Sequence, residues 1–369
     1  MDTLGKRAIA TAFGVACTVL SIPASATVTY NSPGSFAIST VVNDNVVVSN
    51  SLAIVTLQGN GRVLGLDTLS PTYWEAAMRV QRGELELTGN ARVIAGLNQS
   101  AIEMTTLDHS YVRIGGRAGV HGNIKAENSV LWPDEASFPQ RLYLQETGVV
   151  SGDVIFGGFL RLQDQAVVSG AVRSATNSSL RVDMAGGFVG GSVSLGGLDY
   201  HAVNMTGGAI AGSLGGAPSY VQLSMSGGYI RQGLRSSGAY DGVIRGGYID
   251  GGVAISNYVM GGSDLSVRGG RFETTAKDWL FALTEQYPDV IPSNLKICGG
   301  HFGYFEPGAG LFMDGKTNLY VYGAGLTYSG GQLTGTLQDG SSINVALTFG
   351  PSWTGTFTIY PVAVGKPTC

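Results

Sequence analysis

The sequence predicts an all-β fold, a right-handed parallel β-helix (solenoid) of about 20-residue coils with a β-rich C-terminal cap. Three observations predict it. Glycine supplies 57 of 369 residues and charged residues only 13%, a turn-dense profile, while 44% hydrophobic residues still suffice for a core. A unit of glycine or a small residue, any residue, Val or Ile, any residue, glycine, any residue, Val or Leu recurs through the middle of the chain. Before each copy, apolar residues alternate with period two, the pattern of a strand with one buried face.

Residues 1–26 read as a secretory signal. Lys6 and Arg7 precede an apolar run from Ala8 to Ile22, Ala24-Ser25-Ala26 closes it, and cleavage is expected after Ala26. Pro23 ends the run short of the about 20 apolar residues that a membrane anchor needs. No other segment is long and apolar enough, so no integral membrane segment is expected after signal cleavage, and the expected location is secreted or extracellular, with a periplasmic or cell-surface place as variants. The processed chain carries 20 basic and 25 acidic residues, a formal charge of −5, without a basic cluster, so nucleic acid is not an expected partner. Cys298 and Cys369 are its two cysteines; an oxidising compartment permits them to pair, and their spacing leaves pairing open.

Residues 27–54 are strand-like and are expected to form an N-terminal cap or first coil; the β-helix repeats span 55–310. The clearest copies are Gly148-Val149-Val150-Ser151-Gly152-Asp153-Val154, Ala166-Val167-Val168-Ser169-Gly170-Ala171-Val172 and Gly187-Phe188-Val189-Gly190-Gly191-Ser192-Val193. Their central residues, continued by Ile210, Ile230 and Ile249, are spaced by 18, 21, 21, 20 and 19, with weaker copies at Val63, Val93, Val120, Phe272 and Phe302. The alternating pairs before the markers include Val55/Leu57, Leu85/Leu87, Val112/Ile114, Leu142/Leu144, Leu160/Leu162, Val182/Met184, Val203/Met205 and Leu223/Met225. Each repeat therefore reads as two short strands joined by a glycine-containing bend, such as Gly207-Gly208 or Gly246-Gly247. A unit this short cannot bury its apolar face alone, so equivalent strands must stack in parallel, each marker column facing inward. An antiparallel barrel or sandwich is the competing architecture.

Between the copies at Phe272 and Phe302, residues Ala276 to Tyr287 place Trp279, Leu280, Leu283 and Tyr287 at helical spacing, which predicts a helical insertion over 276–287, stopped by Pro288. The C-terminal β cap is expected over 311–369. There, Asn318-Leu319-Tyr320-Val321-Tyr322-Gly323 is followed by Leu333-Thr334-Gly335-Thr336-Leu337-Gln338-Asp339-Gly340-Ser341-Ser342-Ile343-Asn344-Val345. This segment, 317–348, resembles the closing part of exported, repeat-rich β-helical proteins of the PEP-CTERM-associated type. The resemblance implies export and a β-helix. That class ends in a Pro-Glu-Pro motif, an apolar anchor and a basic tail, whereas this sequence ends Tyr360-Pro361-Val362-Ala363-Val364-Gly365-Lys366-Pro367-Thr368-Cys369, so surface retention is not inferred.

Gly310 to Thr317 matches the spacing of a phosphate-binding P-loop, but an alternating strand follows where that loop needs a helix, and nucleotide is not expected. Glu146 and Asp164 fall at the same place in adjacent coils, as do Arg161 and Asp183; such stacking brings carboxylates together for calcium or a shared proton, with Arg161 toward a uronate, or leaves a solvated face. His109, His121, His201 and His301 lack metal-ligand spacing, so no metal, no cofactor and no catalytic set is assigned. One position before the marker, Phe188, Tyr229, Tyr248, Arg271 and His301 recur, interrupted by Ala209, and predict an outward row that either binds or stacks upon itself. The expected function is a secreted structural or adhesive protein of the cell surface or extracellular matrix, without catalysis, with glycan or a cell-surface protein as partner. The alternative is a carbohydrate-active enzyme, a polysaccharide lyase or glycoside hydrolase on the same scaffold.

Overall fold

The computed structural model describes residues 27–65, 76–97, 99–105, 109–126, 139–257, 262–274, 279–285, 291–303 and 310–369. Residues 1–26, where a signal is expected, lie outside the described residues. Among those residues every regular element is a β-strand, and no helix is long and apolar enough to cross a membrane. The chain divides into two compact units, Met1–Arg181 with Gly187–Gly191, and Val182–Gly186 with Ser192–Cys369.

In the first unit, strands repeat in three parallel ladders. The marker ladder stacks Val41–Val42, Arg62–Leu64, Arg92–Ile94, Gly119–His121, Val149–Val150, Val167–Val168 and Phe188–Val189. Its inward residues Val63, Val93, Val120, Val150, Val168 and Val189 are in register and fully buried. Burying each such side chain contributes about 1.5–3 kcal/mol. A broad ladder of longer strands aligns Leu85, Val112, Leu142 and Leu160 in one buried column and Leu87, Ile114, Leu144 and Leu162 in another. The third ladder, absent from the two-strand reading of the repeat, includes Ser100–Met104, Ile124–Ala126, Val154–Phe156 and Val172–Ser174. Its first residues, Val154 and Val172, close the seven-residue repeat unit: a glycine between marker and final Val turns the chain onto a separate strand. Residues 27–54 adopt the same three-ladder pattern, beginning with Val28–Tyr30, Gly34–Ile38 and Val41–Val42.

The second unit repeats the arrangement. Ile210, Ile230, Ile249, Phe272 and Phe302 form its marker column in register, and Val203/Leu223 and Met205/Met225 pair in its broad ladder. The second glycine of each bend, Gly208, Gly228 and Gly247, has φ of 78°, 85° and 92°, the left-handed conformation that a corner without a side chain permits. The expected helix over 276–287 is not formed in its described part: Phe281–Glu285 is a strand, paired in parallel with Val253–Asn257 and Gly310–Asp314. Phe281, Leu283 and Glu285 alternate into the interior, and over so few residues this period-two pattern competes with the helical spacing.

Toward the end the pairing changes sense. Thr317–Ser329 pairs antiparallel with Gln332–Leu337, which pairs antiparallel with Ser342–Phe349; the last of these strands returns to a parallel partner, Gly310–Asp314. Phe357–Pro361 lies parallel to Thr317–Ser329. A disulfide joins Cys298 to Cys369, with Cα atoms 6.2 Å apart, across a sequence separation of 71.

Candidate functional site

Stacking converts a recurring position into a row, and in the second unit Ala209, Tyr229, Tyr248, Arg271 and His301 are successive register neighbours. Their neighbours in sequence, the marker residues, are buried, so alternation turns this row outward. The rings of Tyr229 and Tyr248 stack with centroids 5.0 Å apart and planes at 23°, and the Arg271 guanidinium lies 5.3 Å from the Tyr248 centroid. Below Tyr229 and Tyr248 in the row, Arg271 and His301 are exposed, while Ala209 presents only a methyl to the other side of Tyr229. The row stacks on itself as well as facing out. Phe188, the fifth predicted residue, belongs to the first unit, where it is 41% exposed and its register neighbour is Val167.

Glu273 organises this row, and the sequence reading did not single it out. Two residues after Arg271 and 5% exposed, it accepts a hydrogen bond from the Tyr248 hydroxyl at 2.5 Å and one from Arg271 Nε at 2.6 Å. Burial alone would raise its carboxyl; the bonds from Tyr248 and Arg271, with the charges of Arg271 and His301, outweigh it and hold the carboxyl below the usual carboxylate range. The bond to Glu273, followed by burial, pushes the Tyr248 phenol well up. Tyr248 is thereby fixed as a protonated donor and Arg271 as one half of an ion pair.

The carboxylates of adjacent coils do come together, with a different employment. Glu146 and Asp164 occupy a corner with φ of 55° and 54°, and each carboxylate reaches back one coil: Glu146 Oε2 accepts from the Gly116 amide, and Asp164 Oδ2 accepts from the Glu146 amide at 3.0 Å. They satisfy backbone donors at the turn. Arg161 lies in the first unit and Asp183, which is buried, in the second. Gly310–Asp314 is a strand, Gly315 turns, and Thr317 begins another strand, so the P-loop-like spacing has no helix after it. Among the described residues, no three His, Cys, Asp or Glu side chains are grouped to hold a metal ion.

Two grooves in the second unit escaped the sequence. One, of about 420 Å³, has Ser194, Ser213, Ser236, Ser237 and Ser256 around Gly215, Gly216 and Arg235. The other, of about 270 Å³, is lined by Asn294, Lys296, Tyr320, Tyr322 and Tyr360. The outward Tyr320 and Tyr322 of the Thr317 strand were a visible signal for the latter, but their partners come from strands distant in sequence. Compared with protein-family models, curated proteins and solved structures, the chain matches none.

Proposed function

We propose that this is a secreted structural or adhesive protein of the cell surface or extracellular matrix, built on a right-handed parallel β-helix of about 20-residue coils, and that it contacts glycan through Tyr229, Tyr248, Arg271 and His301. The observation that carries the reading is the attachment of Tyr248 and Arg271 to Glu273. A tyrosine acting as general base needs a pKa near the working pH, and Glu273 moves Tyr248 the other way. An arginine that neutralises a uronate must give up its own counter-ion, and Arg271 keeps one. What these contacts do provide is order: side chains already held in one geometry lose little entropy when a ligand arrives. Export is supported by the signal-like segment 1–26 and by the resemblance of 317–348 to exported β-helical proteins.

Replacing Tyr229 and Tyr248 together by Ala tests the reading on glycan arrays and isolated cell-wall material. Binding is expected to fall, with a modest drop in the thermal midpoint, since an aromatic pair contributes about 0.5–1.5 kcal/mol beyond its burial. Unaltered binding would reject the surface, and collapse of the thermal transition would assign the row to packing. Incubation with the same polysaccharides is expected to release no new reducing or unsaturated ends; sustained release would favour the carbohydrate-active alternative.

A further inference from the structure

We propose that the groove of Asn294, Lys296, Tyr320, Tyr322 and Tyr360 binds one neutral pyranose unit of a glycan chain. The site is separate from the row of Tyr229 and Tyr248; it shares with the proposed function only the class of ligand. It is assembled from three parallel strands, Ser293–Phe302, Thr317–Ser329 and Phe357–Pro361, on which Asn294 is opposite Asn318, Lys296 opposite Tyr320, and Tyr322 opposite Tyr360. Tyr322 and Tyr360 stack with centroids 4.7 Å apart and planes at 12°, and Tyr320 is tilted at 42° with its centroid 6.2 Å from that of Tyr360. The result is an angled aromatic wall, and the apolar C–H face of a sugar ring packs on such a surface.

The polar groups set the rest of the ligand. Lys296 Nζ donates to both carboxylate oxygens of Asp264, at 2.8 and 2.7 Å, which leaves one ammonium hydrogen to donate to a sugar hydroxyl. Asn294 is oriented as well: its Oδ1 accepts from Asn318 Nδ2 at 3.0 Å, while Asn318 Oδ1 accepts from the Thr356 amide at 2.8 Å, so among the described residues the Asn294 amide group keeps its hydrogens for a ligand. The hydroxyls of Tyr320, Tyr322 and Tyr360 carry no hydrogen bond among the described residues. Because Lys296 is neutralised by Asp264, an acidic sugar would gain no net attraction. At about 270 Å³ the groove falls just below the usual range of ligand sites, which begins at about 300 Å³, and accommodates one ring of a chain whose remainder lies in solvent.

Titration calorimetry of the full chain with cellohexaose, maltohexaose and laminarihexaose, and with hexagalacturonate as the acidic comparison, tests the site. At least one neutral hexasaccharide is expected to bind, hexagalacturonate about tenfold more weakly or worse. Tyr322→Ala and Lys296→Met, each made on top of Tyr229→Ala with Tyr248→Ala so that the row makes no contribution, are each expected to weaken the neutral ligand about tenfold. Should Tyr322→Ala fail to fold, Lys296→Met and Asn294→Ala carry the test. Absence of binding by all three neutral probes, preference for hexagalacturonate, or indifference to Lys296→Met overturns the proposal. Loss of binding only in the Tyr229 and Tyr248 variant would overturn this site while leaving the row as the contact surface.

Discussion

Glu285 holds a carboxyl group where water scarcely reaches. It is 7% exposed, the Ser293 hydroxyl donates to its Oε2 at 2.5 Å, and its Oε1 has no partner. Burial pushes the carboxyl up to about 7, against the opposing Ser293 bond and the charge of Lys316. Between the ordinary value of 4.5 and about 7, the folded chain keeps a proton that the unfolded chain has released. The group's contribution is therefore fully present below the ordinary value and is lost as pH rises through about 7. Glu285→Gln keeps an acceptor for Ser293 and removes the charge. Denaturant melts across this range should show the variant gaining about 1–2 kcal/mol over the parent above pH 7 and little below pH 5. Parallel pH curves for the two proteins would show that Glu285 does not titrate as its burial implies.

At the scale of the coil, the corner decides what a residue costs. Gly59, Gly89 and Gly116 take φ of 61°, 64° and 63° at the turn where Glu146 and Asp164 take 55° and 54°. A carboxylate that caps the preceding coil's amide offsets the strain that glycine avoids. Glu146→Ala keeps the strain and loses the acceptor for Gly116, and is expected to cost about 1–2 kcal/mol by chemical denaturation. Glu146→Gly relieves the backbone and should cost less than half as much; equal losses would mean the conformation carries no strain. The marker columns and glycine bends were legible because stacking forces one residue type to recur at one place. The third strand was not, because the repeat unit shows only its first residue, Val154 or Val172, and one recurring position per coil cannot display alternation. Nor was the strand at Phe281–Glu285, whose five residues fit helical spacing as well as alternation. Within the site, the row followed from recurrence, whereas Glu273 acts on Tyr248 across a coil and the tyrosine groove depends on strands that meet only after the antiparallel excursion of 332–349.

For the molecule as a whole, each unit buries its own inward columns, and stability of such stacks grows from contacts between nearest coils. The second unit adds a covalent tie. Around it, Gln338 exchanges hydrogen bonds with Thr368, and the Val362 amide donates to Gly323 O at 2.9 Å. Opening the Cys298–Cys369 bond frees a loop of 71 positions, so Cys298→Ser with Cys369→Ser is expected to lose about 2–4 kcal/mol. Hydrogen exchange should rise first over 357–369; unchanged protection there would mean that the noncovalent contacts suffice. The same bond has a mechanical meaning. Tension applied at Cys369 passes directly to the strand Ser293–Phe302 and bypasses 71 positions, a reserve of about 250 Å of contour at about 3.5 Å per residue. Oxidised, the chain keeps that slack out of the line of force; reduced, it becomes extensible, and the redox state of one cysteine pair sets whether the segment from Cys298 to Cys369 behaves as a stiff strap or a yielding one.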